Sequence, residues 1–335
     1  MYMKRVCALL LAGLLFLACT ACHGEGSASP GSELPADSSS SEASQAWSYA
    51  FTDDTGRRVE LTEQPETVAV LFSSFADMWA LAGGRVDVTV AEAVERGFAD
   101  DTAVLVDAGA GKTIDMERLL AAEPDLVIAT ADLEGQVSAC QLAGEAGVPA
   151  AMFHVESLED YLRVLKIFTD ITGDAQAYET YGAQVQQAAQ EVLEQAREAA
   201  GEDAPRILFI RAGSKASATK AKTAEDHFAC QMLAELGVHN IAEDAPVLLD
   251  GLSLEEILLQ DPDYIFISTM GSEEEATAYM ESVFQSEGWG SLTAVKEGNY
   301  VFLPKELVHF KPNARWAEAY EYLAGLLYPE LAHEG

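Results

Sequence analysis

Short apolar runs alternate with segments of helical spacing along most of the chain. The runs at residues 68–72 (VAVLF) and 206–210 (RILFI) have the composition of buried strands. Strands covered on both faces give such runs, and the helices between them provide the cover. Further strands are predicted at residues 86–90, 150–153 and 300–303. The pattern therefore predicts an α/β fold built on parallel sheets.

An internal repeat indicates that this arrangement occurs twice. Residues 117–130 (ERLLAAEPDLVIAT) align without a gap with residues 255–268 (EEILLQDPDYIFIS), an offset of 255 − 117 = 138 positions. The same offset brings the strand at 68–72 onto the strand at 206–210. The identical pairs are Glu117 and Glu255, Leu120 and Leu258, Pro124 and Pro262, and Asp125 and Asp263. A duplicated unit of this kind predicts a body with two lobes.

A long helical segment separates the two copies. Ser157 has the position of an N-cap for a helix through Phe168, and Gly173 interrupts the helical pattern. Residues 174–200 are rich in Ala, Gln and Glu with apolar residues at helical spacing. One helix over this range would be roughly 40 Å long. We expect it to connect an N-lobe at residues 47–173 to a C-lobe at residues 201–335.

The first residues have the features of an export signal. Lys4 and Arg5 precede an apolar run at residues 6–17 that is too short to span a bilayer comfortably. Residues 1–21 are therefore predicted to be a lipoprotein signal peptide, with Cys22, or else Cys19, as the lipidated residue. The alternative is an ordinary cleaved signal. Residues 22–46 are Ser-rich and predict a flexible tether.

Composition and charge exclude several classes of protein. The chain has 55 acidic and 20 basic residues, a formal net charge of −35, and 49% hydrophobic residues. This hydrophobic content supports a sizeable folded core, so the acidic residues are expected on its surface. Nucleic acid is not an expected partner, because its binding depends on clustered Lys and Arg. Cys140 and Cys230 are expected to be buried and free.

The order of several segments resembles a known family. The quoted segments are FTDDTGRRVEL, ETVAVLFSSFADMWALAG, GKTIDMERLLAAEPDLVIA and FKPNARWAEAYEYLAGLLYPEL. Together with the predicted lipoprotein signal peptide, the tether and the long helix, they resemble the helical-backbone solute-binding proteins of ABC importers (periplasmic-binding-protein type 2 domain). Members of this family bind iron–siderophore complexes, haem or cobalamin. The resemblance covers residues 47–332.

The resemblance implies two Rossmann-like lobes with parallel sheets, joined by one long rigid helix, with a ligand cleft between them and little closure. It also implies delivery to an ABC permease in the cytoplasmic membrane. We expect a monomer, exported and lipid-anchored to the outer face of that membrane, or periplasmic. Exposed acids such as Glu92 or Glu95, and Glu225, are candidates for permease contact.

Ligands of open parallel sheets meet the carboxyl ends of the strands. Residues 205–224 contain five basic residues and no acid, and a second basic cluster follows the strand at 300–303. Both clusters lie at strand ends of the C-lobe, so we expect them to face an anionic ligand. The candidate ligand-binding residues are Ser73, Ser74, Phe75, Arg96, Phe98, Asp132, His154, Arg211, Lys215, Met270, His309 and Lys311.

The sequence favours an anionic iron complex, a ferric siderophore or haem, as the bound ligand. His309 is the best single candidate to ligate its iron, although a hydrogen-bonded structural role is favoured somewhat over that of a ligand. A bare metal ion held by His154, His227, His309 and Asp132 is one alternative. Cobalamin on the same fold is another, and a surface lipoprotein enzyme is a third.

Enzyme motifs are incomplete. GAGKT at residues 109–113 lacks the first glycine of a phosphate loop, since that position is Val106. No G-x-S-x-G or H-E-x-x-H sequence is present. We therefore expect a binding protein without catalytic residues and without an intrinsic cofactor.

Overall fold

The computed structural model describes residues 47–107, 113–201 and 204–331. The predicted signal peptide, tether and lipidated cysteine lie outside these residues, as does most of the GAGKT segment. Among the helices within the described ranges, none is both long and apolar enough to cross a bilayer.

The strands are short and form one hairpin and two sheets. Their bounds are β1 Tyr49–Thr52, β2 Arg58–Leu61, β3 Val68–Val70, β4 Val88–Thr89, β5 Val104–Leu105, β6 Leu126–Thr130, β7 Ala150–Phe153, β8 Arg206–Ala212, β9 Lys220–Ala221, β10 His239–Asn240, β11 Tyr264–Thr269 and β12 Tyr300–Phe302. The hairpin consists of β1 and β2. The N-lobe sheet has the order β5-β4-β3-β6-β7, and every pairing in it is parallel. The C-lobe sheet has the order β10-β8-β11-β12, also parallel, with β9 antiparallel on β8.

Helices connect the strands and cover the sheets. Their bounds are α1 Ser73–Leu81, α2 Ala91–Glu95, α3 Met116–Ala121, α4 Glu134–Glu145, α5 Leu158–Thr172, α6 Ala175–Tyr178, α7 Gln184–Ala199, α8 Phe228–Glu235, α9 Val247–Asp250, α10 Leu254–Gln260, α11 Glu273–Phe284, α12 Thr293–Glu297, α13 Lys305–Val308 and α14 Trp316–Leu327. The predicted α/β class with parallel sheets is confirmed.

The internal repeat has a structural counterpart in both sheets. β6 lies beside β3, and β11 lies beside β8, each pair parallel. The aspartate of each P-D turn fixes the start of the neighbouring strand: Asp125 accepts a hydrogen bond from the Thr67 amide at 2.9 Å, and Asp263 accepts one from the Arg206 amide at 2.8 Å. The repeated Pro-Asp pair is therefore a device for strand alignment in both lobes.

The helical segment between the lobes is not a regular α-helix. Ser157 caps α5 through the amide of Asp160, and Gly173 ends that helix at a φ of 81°. Beyond it, α6 and α7 are joined by a π-helical turn at Glu179–Ala183. Tyr161 donates a hydrogen bond of 2.8 Å to the carbonyl of Tyr181 in this turn, because the π geometry leaves that group available. The sequence pattern did not predict the π turn.

The largest hydrophobic core extends through both lobes. It contains an aromatic group in the N-lobe, where Phe75 and Phe168 both meet the ring of Phe153 edge-on. The same continuous core includes α8 and α14 of the C-lobe and the inner face of α7. Packing across the connection restrains the two lobes relative to each other.

Candidate functional site

The carboxyl ends of the central strands bring together charged side chains from both lobes. His309 follows α13 in the C-lobe, and its Nδ1 lies 3.4 Å from the Oγ of Ser268 at the end of β11. Burial lowers the pKa of His309, and the positive charges of Lys305 and Arg211 act in the same direction. The imidazole is therefore neutral at pH 7, the form in which His ligates a metal or shares a hydrogen bond.

Arg211 is a half-buried arginine at the end of β8. In the part of the chain that the structure describes, no carboxylate forms an ion pair with it, whereas Arg96 pairs with Glu306 and Lys311 pairs with Glu156. A half-buried guanidinium without a carboxylate is unusual in a protein of net charge −35. Its five donors match a carboxylate or a similar anionic group.

Arg96 forms the wall of the site on the N-lobe side. Its guanidinium lies 3.9 Å from the centre of the Phe310 ring and 4.6 Å from that of Phe98, and only 13% of its side chain is exposed. It also donates to the Oγ of Ser73 and to Glu306, both at 3.3 Å, while its buried Nε has no hydrogen-bond partner among the described residues. Arg96 thus joins the two lobes through charge, stacking and hydrogen bonds.

Glu92 contributes a negative charge to the site, although the sequence made it a candidate only for permease contact. Its carboxylate accepts a hydrogen bond of 2.6 Å from the Oγ of Ser73, the first residue of α1. Glu92 also raises the pKa of His309, against the larger lowering effect of burial. The carboxylate therefore lies within the site.

Lys311 reaches from the C-lobe to the N-lobe. Its ammonium group lies 2.7 Å from a carboxylate oxygen of Glu156 and 4.7 Å from the centre of the Phe228 ring, with 15% of the side chain exposed. Burial lowers the pKa of Lys311, and the charge of Glu156 opposes this effect. An open cavity of about 490 Å³ has Lys311, Arg96 and Phe98 in its lining, a volume within the usual range for small-molecule sites. Arg211 and His309 do not line this cavity, so it adjoins the group around His309 through Arg96.

Asn313 also belongs to this region, although no pattern in the sequence identified it. It is fully buried at a φ of 50°, and its side-chain amide donates to the Ser74 carbonyl and to Asp77, both at 2.8 Å. Burial raises the pKa of Asp77, although Asn313 and Arg96 oppose this shift. A C-lobe side chain thus satisfies polar groups of the N-lobe.

Three of the predicted ligand residues do not contribute a side chain to the group around His309: two are buried and one lies on an exposed loop. Phe75 is 1% exposed and packs in the core, so it offers no surface to a ligand. Ser74 is also buried, and its backbone carbonyl is the group in use. Lys215 is exposed on the loop after β8, and its charge is not among those that shift the pKa of His309. Met270 is 37% exposed at the end of β11, where an apolar ligand could contact it.

Asp132 and His154 occupy neighbouring strand ends in the N-lobe and are both exposed. Their closest side-chain atoms, Oδ1 and Nδ1, are 2.5 Å apart, and Glu156 lies beside them. His227 and His309 are not part of this group. The set of three histidines with Asp132, considered from the sequence for a bare metal ion, is therefore not assembled in this structure.

His227 is instead a core residue. Its ring stacks on Phe228 and lies 4.7 Å from Phe209, and its Nδ1 accepts a hydrogen bond from the Ala229 amide. Burial lowers the pKa of His227 to about 3, and the positive charge of Lys311 adds to this effect.

This pKa predicts a loss of stability in acid. Below pH 6.5 the unfolded chain takes up a proton at this position, whereas the folded chain remains neutral until about pH 3. Replacement of His227 by Phe should therefore reduce the loss of unfolding free energy between pH 7 and pH 5 by about 2 kcal/mol. Urea unfolding at both pH values measures this difference. His239→Gln, at a histidine whose side chain is 42% exposed, should keep the wild-type dependence, and equal slopes for all three proteins would contradict the assignment.

Comparisons with known proteins were consistent with this architecture. A family model described as periplasmic binding protein matches residues 68–307. No curated protein sequence matches the chain.

Solved structures of low sequence identity share the fold. A periplasmic solute-binding protein from Veillonella parvula aligns with a TM-score of 0.66 at 17% identity, over 86% of this chain and 88% of that chain. The periplasmic haem-binding protein RhuT from Roseiflexus aligns with a TM-score of 0.63 at 18% identity, over 80% and 99%. A possible iron-binding periplasmic protein from Staphylococcus epidermidis aligns with a TM-score of 0.65 at 15% identity, over 79% and 100%.

Proposed function

Because the chain belongs to the periplasmic binding protein family, we propose that it captures an anionic iron complex, a ferric siderophore or haem, and delivers it to an ABC permease. The family consists of substrate-binding proteins and not of enzymes, which confirms the expectation of a protein without catalytic residues. Membership in the family also implies a substrate-binding role in an ABC importer and an extracytoplasmic location.

The observation that carries the anionic ligand is Arg211 beside a neutral His309, since no carboxylate of the described residues forms an ion pair with Arg211. Lys305 and Arg96 add positive charge close to the same imidazole. The groups that surround this point are therefore mostly cationic, although the protein as a whole is strongly acidic. A cleft with a concentrated charge attracts a ligand of the opposite sign and increases its association rate.

Each part of an iron complex has a partner in this arrangement. Carboxylates of haem or oxygens of a ferric chelate would accept hydrogen bonds from Arg211. The neutral imidazole of His309 would ligate iron where the chelate leaves a coordination position open. Phe98 and Phe310, which hold Arg96 between them, provide apolar surface for a macrocycle or a catechol ring.

The haem- and iron-binding proteins among the structural relatives support this class of ligand. Their TM-scores of 0.63 and 0.65 establish a shared fold, whereas identities of 18% and 15% are too low to carry over individual site residues. The site residues are therefore argued from their charges and contacts in this chain. We further propose that Cys22, or Cys19, carries the lipid that holds the protein at the outer face of the cytoplasmic membrane.

The direct test is equilibrium binding of haemin and of several ferric siderophores to the purified chain. The proposal expects tight binding of one anionic iron complex without chemical turnover. It is contradicted if none of these complexes binds and cobalamin does.

Substitution of Glu92 by Gln should increase affinity for the anionic complex. The Glu92 carboxylate accepts from Ser73 inside the site and repels a second anion there. Its removal should strengthen binding three- to tenfold, or about 0.7–1.4 kcal/mol. Titration calorimetry compares it with Glu145→Gln, an exposed acid at the last residue of α4. Unchanged or weaker binding by Glu92→Gln would show that the carboxylate does not face the ligand.

A further inference from the structure

The carboxyl ends of β6 and β7 bring three metal-ligating side chains together at one edge of the N-lobe sheet. The two strands are parallel neighbours, with Thr130 opposite Phe153 in the register. His154 follows Phe153 directly, and Asp132 comes two residues after Thr130. Their side chains are in contact, and Glu156 is two residues beyond His154. One ligand atom from each of the three residues lies within 4.8 Å of the others.

From this geometry we propose that Asp132, His154 and Glu156 bind a divalent transition-metal cation of the zinc type. One imidazole nitrogen and two carboxylate oxygens suit Zn²⁺, which forms bonds of about 2.0–2.2 Å to each of these atoms. Water would complete a four-coordinate site, since Asp132 and His154 are exposed. This site lies beyond the proposed function, whose cargo is an anionic chelate and whose anchor is Arg211.

Neighbouring groups fix two of the three ligands before any cation binds. The Oγ1 of Thr130 donates a hydrogen bond of 3.0 Å to Oδ2 of Asp132, which leaves Oδ1 directed at the imidazole. The backbone amide of His154 donates to Asp54 at 2.7 Å. Asp54 is in turn paired with Arg163 at 2.8 Å. Supporting contacts of this kind orient metal ligands and typically change metal affinity 10- to 100-fold.

The third ligand is already paired with a cation of the protein itself. The ammonium group of Lys311 lies 2.7 Å from Oε2 of Glu156, next to the Asp132 and His154 pair. A bound metal ion would take over this carboxylate from Lys311, which comes from the other lobe. Metal binding and the contact between the lobes through Lys311 are therefore in competition.

Zn²⁺ alone, titrated into the full chain by calorimetry, tests the site. His154→Gln and Asp132→Asn should each weaken binding at least tenfold, and Lys311→Met should strengthen it about tenfold because the competing ammonium is removed. Glu134→Gln is the matched control, since it removes an exposed negative charge from the first residue of α4, two residues after Asp132, without removing a ligand. It should bind Zn²⁺ as the wild type does.

Cobalt provides a second readout that depends on the nitrogen ligand. Visible absorption of bound Co²⁺ should appear in the wild type and in Glu134→Gln and should be absent in His154→Gln. Two outcomes would overturn the site: equal Zn²⁺ affinity of wild type and His154→Gln, or a loss of Zn²⁺ affinity in Glu134→Gln as large as that in His154→Gln. Either would mean that Zn²⁺ is attracted to the acidic surface in general. Arg211→Glu should leave Zn²⁺ binding unchanged, so this result is separable from the outcome for the iron complex.

Discussion

Reversal of charge at Arg211, in Arg211→Glu, is expected to reduce affinity for the anionic iron complex at least 100-fold. Arg211 is the half-buried cation at this point that no carboxylate of the described residues neutralises, so its charge is available to the ligand. A hydrogen bond to a charged group contributes about 1.5–3 kcal/mol, and the new carboxylate adds repulsion. A 100-fold loss corresponds to about 2.8 kcal/mol. Calorimetric titration with the complex that binds wild type measures the change.

The matched control for this variant is Lys296→Glu. It makes the same change of charge on α12, at an exposed position away from the strand ends. The control should change affinity less than threefold, because exposed charges at a distance are screened by salt. Equal affinities of Arg211→Glu and wild type would exclude Arg211 as the anchor of the ligand.

Substitution of Asn313 by Ala should lower the unfolding free energy by about 3 kcal/mol. The change removes two buried hydrogen bonds, to the Ser74 carbonyl and to Asp77, and leaves both acceptors without that donor. Alanine at a φ of 50° adds about 1 kcal/mol of backbone strain. Because these bonds connect the lobes, we also expect the variant to unfold less cooperatively. Urea denaturation gives both quantities.

The loss in Asn313→Ala should depend on pH through Asp77. Burial raises the pKa of Asp77, and the amide of Asn313 opposes that shift by stabilising the ionised carboxyl. Without Asn313 the ionised form loses this partner, so the difference from wild type should be larger at pH 7 than at pH 4. Asn299→Ala, whose amide makes one long contact of 3.4 Å, should cost less than 0.5 kcal/mol and serves as the control. A comparable loss in both variants would contradict the role of Asn313 between the lobes.

The fold could be predicted from the sequence because its signals are local. The apolar run at residues 68–72 and its copy at 206–210 correspond to β3 and β8, and the second half of the repeat contains β6 and β11. The π turn at Glu179–Ala183 could not be predicted, since the sequence there has good helical spacing. The carbonyl of Tyr181 in this turn accepts a hydrogen bond from Tyr161, and this contact forms only when α5 packs against the turn.

The candidate site could be predicted in part, for a related reason. Arg211 and His309 followed from the rule that ligands meet strand ends and from the concentration of basic residues in an acidic chain. Phe75 was misassigned because it lies in the first turn of α1 on the face that packs on the sheet. Glu92 and Asn313 were missed, since each depends on a partner far along the chain or in the other lobe.

The measurement that tests the central claim most directly is thermal unfolding of the purified chain with haemin, ferric siderophores, cobalamin and zinc added separately. A ligand at 100 times its Kd adds about 2.7 kcal/mol to the stability of the folded state. For a body of this size, that corresponds to a shift in Tm of about 5 °C or more. The account predicts such a shift with one anionic iron complex and its loss in Arg211→Glu. A shift with cobalamin alone, or an undiminished shift with the iron complex in Arg211→Glu, would contradict it.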